Sequence, residues 1–252
     1  MLVTVITPSY NQAAYLPRTI ESVIWQTYCD IEYIIFDACS TDGTSAILDA
    51  YENHPRVTRI VREKDDGQAD AINKGFRGAR GEIVGWINSD DMLPPDIVER
   101  SVKAFRQDSD VGLTYCDIEH IDHTGNSIKL STAHPHYDFN YLLNSCYDVF
   151  QPGSFYRKSV VESVGYLDES LKYCMDLDIW LKILARSRSC YLPGRPSSFR
   201  WHEATKTAIG KTAFLREILQ ILRRHGTTWH RPNIRRLYWY WFKSFINRQV
   251  SA

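Results

Sequence analysis

Short apolar runs alternate with amphipathic stretches through the first half of the chain. The apolar runs are rich in β-branched residues and have the length of buried strands, so we predict strands at residues 2–7, 31–36, 57–61 and 83–87. Between and after them, helical periodicity predicts helices at residues 15–26, 44–51, 69–77 and 95–105. Strands that alternate with helices are typical of a parallel sheet covered by helices on both faces.

The pattern changes in the second half. We predict strands at residues 111–116, 119–130, 153–156 and 197–201, and a turn at residues 124–126 leaves a hairpin open for the second of them. Helices are predicted at residues 137–144, 159–164, 176–186, 211–224 and 233–248. The helix at 176–186 is the clearest of these, because Leu177, Trp180, Leu181 and Leu184 share one face.

The composition indicates a globular protein without disulfides. Of the 252 residues, 44% are hydrophobic, which is enough for a substantial core. The six cysteines have no paired short spacing, so they favour free thiols in a reducing compartment. Met1 leads directly into an apolar run without a basic region or cleavage site, and no run of 18 apolar residues occurs. We therefore expect a cytoplasmic protein without a signal peptide or a spanning helix.

Charge is distributed unevenly along the chain, although the total is zero. From residue 186 to the end, 14 Lys or Arg stand against 2 Asp or Glu, so residues 1–185 carry an equal excess of negative charge. This suits an acidic catalytic body whose basic end approaches an anionic surface. Nucleic acid is the rival anion, but no nucleic-acid-binding motif supports it.

Two adjacent carboxylates, Asp90 and Asp91, follow the predicted strand at 83–87. Ligands of open α/β sheets bind beyond the carboxyl ends of the strands. Adjacent carboxylates repel unless a cation or a shared proton compensates them, so a divalent metal that carries a phosphate substrate is one explanation. The alternative is an Asp-Asp turn that caps the helix starting near Pro95.

Two further polar groups accompany the predicted strands and helices of the first half. Asp37 follows the strand at 31–36 and can accept hydrogen bonds from a nucleobase or ribose, whereas Asp42 is better explained as a turn and N-cap residue. Asp70 and Asn73 lie on one helix face, where a nucleotide contact and a mutual hydrogen bond both stay open.

The second half offers two more candidates. Asp176 and Asp178 stand in the first turn of a helix, where the helix dipole favours carboxylates, so capping is the alternative to a catalytic role. His202 follows the predicted strand at 197–201, but a lone histidine is usually structural.

Taken in order, these clusters resemble family 2 glycosyltransferases, inverting enzymes with a GT-A fold, over roughly residues 2–207. The matching segments are Thr7-Pro8-Ser9-Tyr10-Asn11, Asp37 with Ser40-Thr41-Asp42-Gly43-Thr44, residues 66–75, residues 79–82, Asn88-Ser89-Asp90-Asp91, residues 165–170 and residues 176–181. The resemblance implies an α/β fold of GT-A type, a Rossmann-like mixed sheet flanked by helices on both faces, with a C-terminal helical extension.

The resemblance also implies a role for each matching residue. The nucleotide-sugar would be bound by Thr7, Pro8, Tyr10, Asp37, Asp70, Asn88 and Ser89. Asp90 would be the metal-binding carboxylate of an Asp-x-Asp motif that holds Mg²⁺ or Mn²⁺ on the donor diphosphate, and His202 would complete the metal coordination. Asp176 would be the catalytic base.

The implied reaction moves a sugar from a nucleotide-diphosphate sugar to an acceptor hydroxyl with inversion, in polysaccharide, lipopolysaccharide or glycolipid biosynthesis. We expect a glycosyltransferase domain at residues 1–207, with a nucleotide-sugar-binding half at 1–116 and an acceptor-binding half at 117–207, followed by a basic, aromatic tail at 208–252. In the acceptor half, we interpret each of four polar side chains as a surface or local hydrogen-bonding residue in preference to an acceptor contact. These are Asp117, His134, His136 and Gln151.

Two positions depart from the family pattern. Asn88 stands where the first Asp of the Asp-x-Asp motif is usual, which predicts weaker metal binding, and Met175 replaces the usual Glu before Asp176. Both departures motivate an alternative, a catalytically silent nucleotide-sugar-binding or scaffold protein. A nucleotidyltransferase would need a Gly-rich, basic loop after the first strand, and residues 8–12 contain no Gly, Lys or Arg.

The tail predicts an amphipathic helix after Pro232. Its apolar face would carry Ile234, Leu237, Tyr238, Trp241 and Phe245, widened by further aromatic residues. Such a helix can lie in a membrane interface, or equally pack on the body or on another subunit. The resemblance implies a saccharide or lipid-linked acceptor, so we expect possible contact of the tail with the inner face of a membrane.

Overall fold

The computed structural model describes residues 1–203 and 205–250, and in this part of the chain seven strands form the main sheet. They are β1 (Val3–Ser9), β2 (Ile31–Asp37), β3 (Arg59–Arg62), β4 (Ile83–Trp86), β5 (Val111–Tyr115), β8 (Phe155–Arg157) and β9 (Arg188–Tyr191), in the order β3-β2-β1-β4-β8-β5-β9. The first four pair in parallel, whereas β8 is antiparallel to both β4 and β5. The sheet is therefore mixed.

A second sheet lies beside the main one. Its strands are β6 (Ile118–Ile121), β7 (Ser127–Ser131) and β10 (Ser197–Arg200), in the order β10-β6-β7. The strands β6 and β7 pair in antiparallel fashion around residues 122–126, which confirms the hairpin alternative. The strand β10 pairs in parallel with β6, and this pairing brings the segment after β10 next to the end of β4.

Helices cover both faces of the main sheet. They are α1 (Leu16–Ile24), α2 (Thr44–Tyr51), α3 (Gln68–Gly78), α4 (Ile97–Gln107), α5 (Phe139–Asn144), α6 (Lys158–Val164), α7 (Met175–Leu184), α8 (Lys206–Arg224) and α9 (Pro232–Val250). Because side chains alternate along a strand, Val5 of β1 packs with α1 and α4, whereas Ile6 packs in a second core with α3 and α7. This arrangement confirms the predicted α/β class and the GT-A type of fold.

Glycine sets the distance between α3 and the sheet. A Cβ atom at Gly75 would lie 2.6 Å from the side chain of Ile6, so only glycine lets the helix approach β1 this closely. The close approach places the first turn of α3 beside the carboxyl end of β4.

The strand β9 was not predicted from the sequence. Its residues, Arg188–Tyr191, are mostly polar and lack both an apolar run and period-two alternation. It forms the edge of the sheet by pairing in parallel with β5, so the pairing partner determines its conformation and local sequence does not.

The tail packs on the body. The helix α8 begins at Lys206, five residues before the predicted start, and its Ile218, Ile221 and Leu222 are buried in the core that contains α7. Ile234 and Leu237 of α9 join the same core, as the packing alternative predicted. The side chain of Phe245 lies outside the described part of the structure.

Two general features concern the cysteines and the helices. All six cysteines are unpaired, in agreement with the prediction of free thiols. Among the helices of residues 1–203 and 205–250, none is both long enough and apolar enough to cross a membrane.

Candidate active site

The loops that follow β1 and β2 are tied together at the carboxyl ends of these strands. Ser9 of β1 pairs with Asp37 of β2. The backbone N–H of Asn11 donates to Ser40 Oγ at 2.8 Å, and Asn11 Oδ1 accepts from the backbone N–H of Thr41 at 2.8 Å. The two loops therefore form one edge, where a ligand of an open α/β sheet would bind.

Asp42 links the same two loops. Its carboxylate accepts two hydrogen bonds from Thr44, at 3.1 Å from the backbone and 2.6 Å from the hydroxyl, and a third from the backbone N–H of Ala13 at 2.9 Å. The N-cap position of α2 is Gly43, so Asp42 acts one residue earlier than predicted. Its role is nevertheless local and structural.

The residues expected to bind the nucleotide differ in exposure. Asp37 is buried and accepts hydrogen bonds from the backbone and the hydroxyl of Ser40, at 3.0 and 2.6 Å. Thr7 is also buried, and its hydroxyl lies 2.9 Å from the hydroxyl of Tyr33. Tyr10 is exposed at the end of β1, so among these side chains it is open to a ligand without rearrangement.

The first turn of α3 holds Asp70 by local contacts. Its carboxylate accepts from the backbone N–H of Asp66 at 3.1 Å and pairs with Lys74 at 3.0 Å. Asn73 instead bonds to the backbone N–H and C=O of Leu167, both at 3.0 Å. The mutual Asp70–Asn73 hydrogen bond, one of the two sequence alternatives, is thus replaced by two separate sets of contacts.

The two adjacent carboxylates in the turn after β4 have different partners. Asp91 is buried, and its carboxylate accepts from the backbone N–H of Arg200 at 2.9 Å and from Asn88 Nδ2 at 3.0 Å. Burial, followed by the nearby charge of Asp90, raises the pKa of Asp91 well above its ordinary value. Asp91 therefore stabilises the turn and the attachment of β10.

Asp90 points to a different partner. Its Oδ2 lies 3.1 Å from His202 Nε2, and its backbone C=O accepts from Arg200 Nε at 2.9 Å. The ring of Tyr15 packs against His202 with the centroids 5.0 Å apart. The structure thus brings together Asp90 and His202, the two residues predicted to hold a metal.

The donor set at Asp90 and His202 fits a cation that arrives with its substrate. One carboxylate and one imidazole are available, and within residues 1–203 and 205–250 no group of three or more His, Cys, Asp or Glu could hold a metal ion. Mg²⁺ is often held by one or two carboxylates together with substrate phosphates and water. A two-residue set therefore suits a diphosphate-bound cation better than a permanent protein site.

Asp176 lies in the first turn of α7 and is half-buried. Its Oδ1 accepts from the backbone N–H of Leu177 at 2.8 Å. Burial raises the pKa of Asp176 to about 6; the charge of Glu217 adds to this rise, while the Leu177 hydrogen bond and the charge of Lys206 oppose it. A carboxylate with a pKa near neutrality is suited to take a proton as a general base.

Two series of interactions link the helix α7, which carries Asp176, with β4 and the turn after it. Lys206, which is near enough to Asp176 to influence its pKa, donates to Gln68 Oε1 at 2.7 Å. Gln68 Nε2 in turn donates to Asn88 Oδ1 at 2.6 Å.

The second series runs through aromatic rings. Trp180 of α7 donates to the hydroxyl of Tyr156 at 3.1 Å, and the Tyr156 ring stacks on Trp86 of β4 at 5.5 Å. The turn at residues 88–91 and the helix that carries Asp176 therefore lie close together.

Asp178 has a different environment from Asp176. It is fully buried, pairs with Lys182 at 2.6 Å, and lies 2.9 Å from His225 Nε2 of the tail. Burial alone would raise the pKa of Asp178, but the hydrogen bonds from His225 and Lys182 outweigh it and hold the pKa below its ordinary value. Asp178 therefore links α7 to the residue that follows α8. Unlike Asp176, it is not exposed to solvent.

Glu217 is a positioning residue that the sequence interpretation missed. Its carboxylate accepts three backbone N–H groups just before α7, from Lys172, Tyr173 and Cys174, at 2.7, 2.6 and 2.7 Å. These bonds fix the entry into the helix that carries Asp176. Glu217 is one of only two acidic residues after residue 185, and this isolation was a usable signal.

Other missed residues lie within the matching region. Gln68, Arg200 and Lys206 connect the turn after β4 with its surroundings, and each occurs within a few residues of a predicted site residue. Their long side chains reach partners far away in the sequence, so spacing alone could not assign them.

The polar residues singled out between residues 117 and 151 form hydrogen bonds within the protein. Asp117 accepts from the hydroxyl of Tyr191 at 3.0 Å, and the backbone N–H of His136 donates to His134 Nδ1 at 3.1 Å. Gln151 donates to the backbone C=O at the end of β4 at 2.9 Å and lies 3.4 Å from Asn88. Gln151 is therefore the member of this group next to the candidate active site.

Comparison with known proteins gives the family to which this fold belongs. The family profile described as Glycosyl transferase family 2 matches residues 4–165. The chondroitin synthase of Escherichia coli is 35% identical over 185 residues, covering 72% of this chain and 26% of that protein. The chain thus spans about a quarter of the length of this relative.

Solved structures agree on the fold. A Staphylococcus aureus TarS fragment (residues 1–349 of that protein) in complex with UDP-GlcNAc superposes with a TM-score of 0.72 at 18% identity, covering 89% of this chain and 66% of that one. The mannosyltransferase PcManGT from Pyrobaculum calidifontis, in complex with GDP-Man and Mn²⁺, gives a TM-score of 0.62 at 26% identity, covering 88% and 62%. The chain belongs to glycosyl transferase family 2.

Proposed function

We propose that the protein is an inverting glycosyltransferase that moves a sugar from a nucleotide-diphosphate sugar to an acceptor hydroxyl. The observation that carries the proposal is the hydrogen-bonded series from Lys206 through Gln68 to Asn88, together with the charge of Lys206 that acts on half-buried Asp176. It supports a shared site for a candidate base and the donor-side turn. The relatives with polysaccharide synthase names favour polysaccharide, lipopolysaccharide or glycolipid biosynthesis as the setting.

The proposed chemistry assigns the proton transfer to Asp176. Its carboxylate takes the proton of the acceptor hydroxyl while that oxygen forms a bond to the anomeric carbon. The bond between this carbon and the diphosphate oxygen breaks on the opposite face, and the nucleoside diphosphate leaves with the bonding electrons. General-base assistance of this kind contributes about 10²- to 10⁴-fold in rate.

The donor would be held by the edge that β1, β2 and β4 form. Tyr10 is placed for the nucleobase, and buried Asp37, which orients Ser40, supports the base and ribose region. The remaining proposed donor contacts are Thr7, Pro8, Asp70, Asn88 and Ser89. We divide the chain accordingly into a donor half at 1–116, an acceptor half at 117–207 and a tail at 208–252.

Mg²⁺ or Mn²⁺ is the proposed cofactor, held by Asp90 and His202. The structural relative PcManGT is in complex with GDP-Man and Mn²⁺, which favours divalent metal use here. When bound, the cation would neutralise negative charge on the departing diphosphate. Asp90 would supply the carboxylate ligand, and the hydrogen bond from Arg200 to the Asp90 backbone would keep that carboxylate in place.

The proposed cellular setting is the cytoplasm, with the enzyme peripheral at the inner face of the membrane. An acidic body and a basic tail favour this arrangement, since inner leaflets carry anionic lipids. The acceptor would be a saccharide or a lipid-linked saccharide.

A donor panel tests the reaction. The purified protein is incubated with UDP- and GDP-sugars, Mn²⁺ and candidate saccharide acceptors, and released nucleoside diphosphate is measured with and without EDTA. We expect acceptor-dependent release from at least one donor, and loss of release with EDTA. Tight donor binding without any release would instead support the catalytically silent alternative that Asn88 and Met175 raise.

A further inference from the structure

Large aromatic side chains are exposed within one short segment of the tail, residues 229–240. Trp229 is 80% exposed, and Tyr238, Trp239 and Tyr240 are between 44% and 51% exposed. We call these four residues the aromatic face. Solvent-exposed aromatic residues gathered in one short segment mark an interaction surface more often than isolated ones do.

The aromatic face is held outward by the packing of α9. Ile234 and Leu237 are buried, and Asn233 Nδ2 donates to the backbone C=O groups of Leu142 and Leu143, at 2.9 and 3.0 Å. The exposed rings therefore cannot turn inward without breaking the attachment of α9.

An ion pair and a cation–π contact add to this attachment. The guanidinium of Arg236 pairs with Asp148 at 3.0 Å and lies over the ring of Tyr147 at 3.9 Å. The side of α9 that packs on the body thus carries Ile234, Leu237 and Arg236, whereas Tyr238, which the sequence pattern places on the same apolar face as Ile234 and Leu237, is exposed.

The charged residues of the segment that carries the aromatic face are all cationic. Residues 218–252 contain seven Lys or Arg and no Asp or Glu. Arg223, Arg231 and Arg235 are exposed, and Arg223 donates to the hydroxyl of Tyr238 at 3.2 Å. The surface thus combines indole and phenol rings with cationic groups.

We propose that the aromatic face docks on an anionic phospholipid surface. Trp and Tyr side chains prefer the headgroup region of a bilayer, because one end of the ring is apolar and the other is polar. Neighbouring Arg side chains add attraction to anionic lipids. The inference deepens the proposed function and rests on it. Membrane contact would bring the enzyme to a lipid-linked acceptor at the surface.

Other occupants fit the surface less well. A nucleic acid would use the cations, but the described surface presents its rings on a helix side and a loop rather than in a cationic groove that tracks a strand. Two copies of this chain that met through their tails would bring the same positive charges together, which repel each other.

Vesicle binding tests the proposal on the full chain without any donor or acceptor. Sedimentation compares vesicles of phosphatidylcholine alone with vesicles of phosphatidylcholine and phosphatidylglycerol in equal parts. We expect at least about tenfold stronger binding to the anionic vesicles. The double variant Trp229→Ala/Trp239→Ala should lose about tenfold of that binding, and Arg231→Gln/Arg235→Gln should lose the preference for anionic lipid.

Matched controls use exposed residues outside the aromatic face. Trp25 is 73% exposed and Arg195 is exposed, so Trp25→Ala and Arg195→Gln should bind vesicles as the unaltered protein does. Quenching of tryptophan fluorescence by brominated lipid in the Trp25→Ala protein gives a second readout that does not depend on changing the aromatic face. Thermal unfolding of each variant checks that it is folded.

Three results would overturn the proposal. They are absence of binding to anionic vesicles, equal losses in the Trp25→Ala control and the tryptophan double variant, and a fall in oligomeric mass of the double variant without any change in vesicle binding. Preferential binding of an RNA oligonucleotide with no binding to vesicles would overturn it as well. Nucleotide release with a soluble acceptor is measured separately, so an active enzyme that ignores vesicles refutes this inference and leaves the proposed function standing.

Discussion

Two regions of the molecule each bring two carboxylates close together. The turn after β4 carries Asp90 and Asp91, and the first turn of α7 carries Asp176 and Asp178. In each region one carboxylate is buried and held by partners distant in the sequence, Asp91 by Arg200 and Asp178 by His225. The other carboxylate, Asp90 or Asp176, is partly exposed.

The two regions differ in how the buried member is compensated. Asp91 accepts hydrogen bonds from a backbone N–H and an amide, which are neutral groups, and its pKa is raised. Asp178 is paired with Lys182 and its pKa is lowered. The pKa values of the two buried aspartates therefore shift in opposite directions, because the partners that fold against them differ.

The largest expected effect follows from changing Asp176. Asp176→Asn keeps the size of the side chain and removes the proton acceptor, so we expect sugar transfer to fall about 10²- to 10⁴-fold. Donor affinity, measured by calorimetry, should change little. Transfer at the unaltered rate would show that Asp176 is not the base.

The matching change in the same helix should affect stability first. Asp178→Asn leaves Lys182 without its buried partner, and removing one member of a buried ion pair costs about 3–5 kcal/mol in the free energy of unfolding. Urea denaturation measures this loss. Equal stability of Asp176→Asn and Asp178→Asn would remove the distinction between the two residues.

The stability contribution of Asp178 has a defined pH range. Its pKa is lower in the folded than in the unfolded state, so the contribution is complete above the unfolded value of about 3.9. It is lost as the pH falls through the folded value. Denaturation curves between neutral and acid pH should therefore converge for the unaltered protein and Asp178→Asn.

The pH dependence of catalysis should follow Asp176. The base must be ionised and its pKa is about 6, so kcat/KM should rise about tenfold between roughly pH 5 and pH 7 and then level off. A steady-state pH profile with a saturating metal concentration measures this. A profile that is flat across this range would assign the proton transfer to another group.

A smaller effect is expected from restoring the family residue at position 88. Asn88→Asp places a second carboxylate beside the proposed cation, and we expect the Mn²⁺ concentration for half-maximal activity to fall about two- to fivefold, the range of one exposed charge pair. Asn88→Ala is the control, because it also removes the hydrogen bond to Asp91 but adds no charge. Tighter Mn²⁺ use in both variants would attribute the effect to the lost bond.

Much of the fold could be predicted from local patterns. The strands and helices of the first half recur at the expected places because apolar runs and helical periodicity are strong there, although β3 and α4 each start two residues later than predicted. Elements that depend on distant partners were harder to predict from the sequence. The edge strand β9 has no apolar pattern of its own, and α8 extends to Lys206 through residues without clear periodicity.

The site could be predicted in part for a similar reason. Carboxylates after a strand and in a helix first turn indicated the pairs Asp90–Asp91 and Asp176–Asp178, but not which member of each pair is buried. That outcome depends on Arg200 and His225, which lie 109 and 47 residues away from their partners. The contribution of Glu217 to the start of α7 depends in the same way on how the tail packs.

The most direct test is a crystal structure with Mn²⁺ and a hydrolysis-resistant nucleotide sugar. The account predicts an anomalous Mn²⁺ peak beside Asp90 and His202, with the anomeric carbon of the sugar turned toward the carboxylate of Asp176 and with Asp91 and Asp178 away from the ligand. A donor bound elsewhere, or a sugar whose anomeric carbon faces away from Asp176, would contradict it.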